Sequence, residues 1–319
     1  MIITATPAPA IDWTIATDSF GLGLVNRATT VSREASGKGL NVSWALHKQG
    51  LETLAVFPAG GQTSDFMKET LDAASLPHLV VPVGAEVRTN ITLQVNGSAD
   101  TKINTSSEPL TTAEIDAYLG AIFSSLQDAR VLVSSGSLPP GAPDTLHRDI
   151  IALGKKAGVF TVVDTSGQAL VEALPEGPDV VKPNRDELEE LTGRTLVTLE
   201  DVVGACEEVR AMGAGAVLAS LGNQGVVLVD SEGVLVGSVT GVVARNTIGA
   251  GDALLAGFIA TPDDRVAQVT RALVWASSAV QSESTLFDVD RTIEDNVSVS
   301  ATWDAHTVLG NEVPETTAV

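Results

Sequence analysis

Short apolar runs rich in β-branched residues alternate along this chain with segments of helical periodicity, and that alternation admits few folds. The runs Met1–Thr6, Thr53–Pro58, Val131–Ser135, Phe160–Asp164, Val180–Lys182, Val217–Ser220 and Val226–Val229 have the length and composition of strands covered on both faces. Helices are predicted at Leu40–Gln49, Asp65–Ala74, Thr112–Ser125, Thr145–Lys156, Asp186–Thr192, Leu199–Met212, Ala250–Ala260 and Arg265–Gln281. Gly50, Gly158 and Gly213 fall near predicted helix ends, where a residue tolerant of positive φ is favoured. Strands and helices in this order build an α/β structure around a mostly parallel sheet. With 319 residues, 44% of them apolar, the chain can bury a sizeable core.

Two regions break the rhythm. Val87–Val95 alternates with period two, Asn96-Gly97 follows as a turn signal, and Thr101–Ser106 returns. One face of that hairpin carries Arg88, Asn90, Thr92 and Gln94. Ile11–Thr17 and Asn26–Arg33 also have the pattern of half-buried strands. Together these segments make a small side sheet, a lid over a site. The plainer alternative is an ordinary exposed hairpin. The last residues, from about 308, have the composition of a frayed tail.

A net charge of -21 argues against nucleic acid and anionic membranes as general partners, because the summed field repels both. It leaves room for a local basic pocket. Cys206 is the one cysteine, so no internal disulfide forms. His47, His78, His147 and His306 lack metal-ligand spacing and are taken as surface or packing residues. No apolar run reaches the roughly 18 residues of a membrane helix, and the N-terminus lacks a basic leader. The expectation is a cytoplasmic protein.

Several loops have residues suited to chemistry. Gly37-Lys38-Gly39 before a helix looks like half a P-loop, but the outer glycine falls at Ser32 and the Ser/Thr position is Gly39. Asn246–Ala253, NTIGAGDA, opens an apolar helix. Gly249, Ala250 and Gly251 would put backbone amides and the helix dipole beside an anion, with Asp252 next to it as a general base. Equally, Asp and Gly are common in any first helical turn. VLVSSGSLPPG at 131–141 carries Ser137 in a strand-to-loop position where ligands bind in parallel sheets. In VVKPNRDE, Asn184 and Glu187 are spaced to hold waters around Mg²⁺, or to form a capping box. Ala219–Gly225 links two apolar strands through small residues that let a flat base approach. Asp164-Thr-Ser-Gly167 ends another strand, and Asp12 is a carboxylate placed to grip sugar hydroxyls, or a turn residue.

The order of these motifs, PAID (9–12), GKGLNV (37–42), RTN (88–90), SGSLPPG (135–141), DTSG (164–167), KPNRDE (182–187), SLGNQG (220–225) and TIGAGDA (247–253), resembles the ribokinase-like PfkB carbohydrate kinases, on the branch of 1-phosphofructokinase and tagatose-6-phosphate kinase. The resemblance implies one ribokinase-like three-layer α/β/α sandwich over 1–319, with a β lid from about 11–35 and 86–107 that makes a homodimer contact. It implies Asp252 as catalytic base and Gly249, Ala250 and Gly251 as anion hole. Asp12, Gly37, Lys38, Asn41, Arg88, Asn90 and Ser137 are implied as substrate contacts. Lys182, Ser220, Gly222 and Gly225 are implied for the nucleotide, and Asn184 and Glu187 for Mg²⁺ through water. ATP with Mg²⁺ and a ketohexose phosphate are the implied ligands. The branch usually has Asn at the position of Ala8 and often Lys at that of Thr92, and Ser36 replaces a frequent Gly or Ala. The leading expectation is an ATP-dependent kinase that phosphorylates the 6-hydroxyl of fructose 1-phosphate to give fructose 1,6-bisphosphate, with tagatose 6-phosphate or fructose 6-phosphate as the alternative substrate. A non-catalytic sugar-phosphate sensor is the alternative from another class.

Overall fold

The computed structural model describes residues 1–96, 100–282 and 286–310. Gly97 of the expected turn and 311–319 of the expected tail lie outside them. The first half contains β1 (Ile2–Ala5), β2 (Ala10–Thr17), β3 (Thr30–Ser36), α1 (Lys38–Lys48), β4 (Thr53–Gly60), α2 (Gly61–Ala73), β5 (His78–Glu86), β6 (Arg88–Val95), β7 (Thr101–Asn104), α3 (Thr112–Ser125) and β8 (Val131–Ser135). Then come α4 (Leu146–Ala157), β9 (Phe160–Asp164), α5 (Gly167–Ala173), β10 (Val180–Val181), α6 (Arg185–Thr192) and α7 (Leu199–Ala211). The chain continues through β11 (Ala216–Ser220), β12 (Val226–Asp230), β13 (Gly233–Val239), α8 (Ala250–Ile259), α9 (Arg265–Gln281) and β14 (Val297–Ser300).

Ten strands form one sheet in the order β14-β13-β12-β11-β10-β9-β8-β1-β4-β5. From β5 to β11 every neighbour is parallel, and the last three pairings are antiparallel. Side chains of α1, α8 and α9, such as Val42, Leu254 and Trp275, bury one face. Residues of α3 to α7 bury the other, with Tyr118, Ile150 and Val202 fully enclosed. This is the expected three-layer arrangement. Strand β1 has β4 on one side and β8 on the other, so the chain order reverses there and opens a crevice at the carboxyl ends.

The second sheet, β3-β2-β6-β7, is the lid. Its observed strands span Ala10–Ser36 and Arg88–Asn104, close to the expected bounds. Strand β2 pairs with β6 in parallel, which sets Asp12 opposite Asn90. Asp12 therefore stands in the second sheet, on β2.

The sequence pattern missed β5, α5, β13 and β14. Strand β5 contains Pro82, which a sheet accepts on an edge strand, and β5 is the edge. The tail expectation needs correction: residues 308–310 are docked, not frayed. Leu309 is buried against the α7 cluster, its N–H bonds to Val197 O at 2.8 Å, and Arg185 bonds to Gly310 O at 2.9 Å.

Candidate active site

The crevice at the end of β1 holds a cleft of about 400 Å³ lined by Lys38, Asn41, Arg88, Asn90, Lys182 and Asp252, among others. Beyond it lies a second, more apolar hollow of about 390 Å³ between β12–β13 and α8–α9, with Val242, Ala244, Leu254 and Val280 in its wall. Ser220 and Gly251 border both. The two chambers thus meet at the start of α8.

Gly37 and Gly39 are glycines for a packing reason. Gly37 has φ +134, and a Cβ there would stand 2.8 Å from Thr6 Cγ2. At Gly39 a Cβ would stand 2.5 Å from Thr6 Oγ1 and 3.1 Å from Ala5 O. The first turn of α1 therefore seats directly on the end of β1, and that seat aims Lys38 and Asn41 into the cleft.

Helix α8 starts at Gly249, whose φ of +77 suits glycine. Ala253 is the first amide to bond back into the turn, to Gly249 O at 2.8 Å. The Ala250 N–H bonds to Thr247 O at 3.3 Å, and besides that of Gly249 the Gly251 and Asp252 N–H groups have no protein acceptor among the described residues. These two point an anion site toward the junction of the chambers.

Asp252 is 7% exposed, and its Oδ2 accepts from Asn41 Nδ2 at 2.8 Å. Burial, with the negative charge of Asp164 behind it, pushes its carboxyl up to about 7. Asp164 is fully buried, yet Lys182 and Lys38 outweigh the cost of burial and hold it below its ordinary range. Two buried carboxylates are thereby driven apart, one firmly ionised and one poised near neutrality, the pattern of an acid–base site. Asp164 ends β9 in DTSG, and nothing in that motif assigned it a role. Its charge became meaningful only when two distant lysines converged on it.

Lys38 lines the cleft. Implied as a substrate contact, its Nζ lies 3.1 Å from Asp164 Oδ1 and 3.7 Å from Glu187 Oε1. Burial alone would lower its pKa, but Asp164, Glu187 and Asp252 together raise it. The ammonium is therefore held between two carboxylates at the wall of the cleft.

Asn184 and Glu187 form the capping box: Asn184 Oδ1 accepts from the Glu187 N–H at 2.8 Å, and Glu187 Oε2 accepts from the Asn184 N–H at 2.9 Å. Both still line the cleft. Glu187 Oε1 remains toward Lys38, so one carboxylate caps a helix and faces the site. No cluster of three or more His, Cys, Asp or Glu side chains suited to a metal occurs among the described residues. The donors present fit Mg²⁺ that keeps its own waters and rides on phosphates, not a protein cage.

At the lid, Asp12 Oδ1 accepts from Asn90 Nδ2 at 2.8 Å. Asn90 Oδ1 and Arg88 Nε are buried without a hydrogen-bond partner, and both residues line the cleft. Buried polar groups left this way mark a place for a polar ligand. Gly222 and Gly225 border the second hollow, and Lys182 the first. At Gly225, φ is +98 and a Cβ would stand 2.0 Å from Gly237 O, which fixes a close hairpin. Ser137 is exposed on the loop after β8 and does not line either chamber.

The family model described as pfkB family carbohydrate kinase matches residues 6–291. The chain belongs to the pfkB family of carbohydrate kinases. It is 36% identical to a 1-phosphofructokinase of Haloferax volcanii over 82% of this chain and 83% of the relative. It is 29% identical to a tagatose-6-phosphate kinase of Staphylococcus epidermidis over 81% and 84%. The solved phosphofructokinase-2 of Escherichia coli in complex with potassium superposes with a TM-score of 0.86 at 30% identity, covering 92% of this chain and 98% of that one. A pfkB kinase moves a phosphoryl group to a carbohydrate hydroxyl, and the ribokinase-like fold expected from the motifs is present. No helix among the described residues is long and apolar enough to cross a membrane.

Proposed function

We propose that this pfkB kinase is an ATP-dependent 1-phosphofructokinase that phosphorylates the 6-hydroxyl of fructose 1-phosphate to give fructose 1,6-bisphosphate in the cytoplasm. The observation that carries the reading is the placement of Asp252. A buried carboxylate poised near pH 7 sits beside two unbonded amides, where a polar chamber with unpartnered lid groups meets an apolar one.

The sugar phosphate lies under the lid. Arg88 takes its existing phosphate, and Asn90 and Asp12 take ring hydroxyls. The adenine lies in the apolar hollow, where Gly222 and Gly225 let a flat base approach. Asn41 holds Asp252 in place. Asp252 removes the proton of the 6-hydroxyl as that oxygen bonds to the γ-phosphorus, and the bond from phosphorus to the β-phosphate oxygen breaks in line. The proton stays on Asp252 and ADP leaves. The Gly251 and Asp252 amides, with Lys38, stabilise charge on the phosphoryl in transit. Mg²⁺, held by Asn184 and Glu187 through water, would neutralise the nucleotide phosphates.

The relative named tagatose-6-phosphate kinase favours a second reading, the same chemistry on a ketohexose 6-phosphate. Comparing kcat/KM for fructose 1-phosphate, tagatose 6-phosphate and fructose 6-phosphate with ATP and Mg²⁺ decides. The expected result is preference for fructose 1-phosphate. Preference for either 6-phosphate overturns the choice of substrate, and no transfer to any of them overturns the kinase assignment in favour of a sensor.

A further inference from the structure

Residues 303–310 lie across the outside of the α6–α7 region. Trp303 and Leu309 pack on the α7 cluster, Leu309 at 5% exposure. Between them the backbone meets the start of α7 in antiparallel fashion, with Thr198 bridged to Val308. The Leu199 N–H donates to Thr307 O at 3.0 Å and the Glu200 N–H to Ala305 O at 3.1 Å, so this segment supplies acceptors to the first amides of α7. The Leu309 N–H returns a bond to Val197 O at 2.8 Å. Apolar packing and backbone bonds together make 303–310 a strap held at several points.

The end of the strap meets two loops of the candidate site. One is the start of α6. Arg185, next to Asn184, donates from one terminal guanidinium nitrogen to Gly310 O at 2.9 Å and from the other to Leu196 O, and its Nε lies 3.5 Å from Glu189 Oε1. Donors fixed in one rigid plane let a single side chain tie three segments at once. The other loop is the turn between β11 and β12. A Cβ at Gly310 would stand 3.6 Å from Gln224 Nε2, and Gln224 follows Gly222 and Asn223, which border the apolar hollow. These two loops are also joined to each other. Asn184 bridges Ser220, and the Ser220 N–H bonds to Pro183 O at 3.0 Å. Asn184 and Ser220 both line the cleft. The strap thus touches from outside the pair of loops that carry Asn184, Ser220 and Gly222.

We propose that the strap 303–310 is a positioning device for nucleotide binding that acts through Arg185, whose grip on the Gly310 and Leu196 carbonyls holds the start of α6 and the β11–β12 turn in one arrangement. The proposal rests on the reading of the apolar hollow as the nucleotide chamber. Arg185 lines neither chamber, so it acts only through the segments it ties. Asp12, Arg88 and Asn90 belong to the other sheet, so loosening the strap weakens the nucleotide side and leaves the sugar side alone.

The test measures Kd for ADP by isothermal titration, KM for ATP and for fructose 1-phosphate, and Tm. The proteins are wild type, Arg185→Met, Arg185→Lys, Leu309→Asp and the double variant Arg185→Met with Leu309→Asp. Arg185→Met keeps the stem and removes the guanidinium. It is expected to raise the ADP Kd and the ATP KM about fivefold, less than the roughly tenfold or more of losing a hydrogen bond made by a charged group directly to the ligand. The sugar-phosphate KM is expected to stay within about twofold. Arg185→Lys can still reach one carbonyl and is expected to recover part of the loss. Leu309→Asp undocks the strap without touching Arg185 and is expected to give the same split. Because both changes break one device, the double variant is expected to be little worse than either single. A lower Tm with unchanged ADP Kd and ATP KM overturns the proposal and leaves the strap a stabilising contact. Equal losses on the sugar and nucleotide sides overturn it too, as do fully additive effects in the double variant. If Arg185→Met does not fold, Leu309→Asp carries the test, and an unchanged ADP Kd there overturns the proposal. A wild type that binds no ADP overturns the nucleotide reading itself, a result distinct from a wild type that binds ADP and variants that bind it equally well.

Discussion

At the scale of one residue, the proposed chemistry rests on Asp252. Asp252→Asn keeps the shape and the contact with Asn41 but cannot take a proton. It is expected to lower kcat by about a thousandfold, within the range for a general base, while binding of both substrates survives. Steady-state rates with isothermal titration check this, and a near-wild-type kcat would remove Asp252 from the mechanism. The pH profile follows from the same group. Its carboxyl titrates near 7, so kcat/KM is expected to rise with pH up to about 7 and level above it. Stability runs the other way. Native Asp252 keeps its proton up to about 7, while the unfolded carboxyl releases it at the ordinary value of 3.8. Between those values the native state binds more protons, so the Asp252 contribution to stability is lost as pH rises. Asp252→Asn is therefore expected to raise Tm at pH 8 by roughly 2 °C or more, and calorimetry of both proteins at pH 5 and pH 8 reads the slope.

Elements show how local signals and distant partners share the work. The Asn184–Glu187 box at the start of α6 was legible from spacing, and so was its possible service to a cation. What the sequence left open was whether one pair does both. Glu187→Gln separates the roles, because Gln also closes a capping box but carries no charge. It is expected to leave Tm unchanged and to raise the Mg²⁺ concentration needed for half-maximal rate severalfold. Glu187→Ala is expected to lose the cap as well, at a cost of about 1 kcal/mol. Helix α2 is the opposite case. It was expected from Asp65 but begins at Gly61, because Glu86 at the end of β5 caps it: its carboxylate accepts from the Gln62 and Thr63 N–H groups, each at 3.2 Å. A cap that comes from two dozen residues away leaves no mark in the helix's own sequence.

For the whole molecule, one exposed apolar patch stands beside the lid. Phe20, Leu22, Leu24 and Val25 stand exposed on the connection between β2 and β3, Leu22 at 90%. A second copy of the chain is the occupant we propose for it, in line with a dimer contact through the lid. Wild type is expected to be a dimer by light scattering, and the double substitution Leu22→Glu with Leu24→Glu a monomer. A monomeric wild type sinks that reading. The net charge of -21 works against self-association at low ionic strength, so the dimer is expected to tighten as salt rises.

The central strands and most of the helices, the lid strands and the start of α8 were legible from periodicity, glycine placement and the run of motifs, while β5, α5, β13 and β14 were not. Those signals are local, because burial on both faces demands continuous apolar runs and a helix start demands particular residues within one turn. Resemblance added the roles expected of Asp252, Arg88 and Asn90. The partners were not legible. That Lys38 and Lys182 meet Asp164, that β2 and β6 run parallel and bring Asp12 to Asn90, that Arg185 grips the Gly310 carbonyl, and that Leu309 docks on α7 are contacts between residues far apart in the chain. Their energies depend on burial and distance, which exist only after folding. The sequence by itself determined which residue types the chain brings to its loops, and the tertiary structure decided which charges face each other and so which buried carboxyl is raised and which is held ionised.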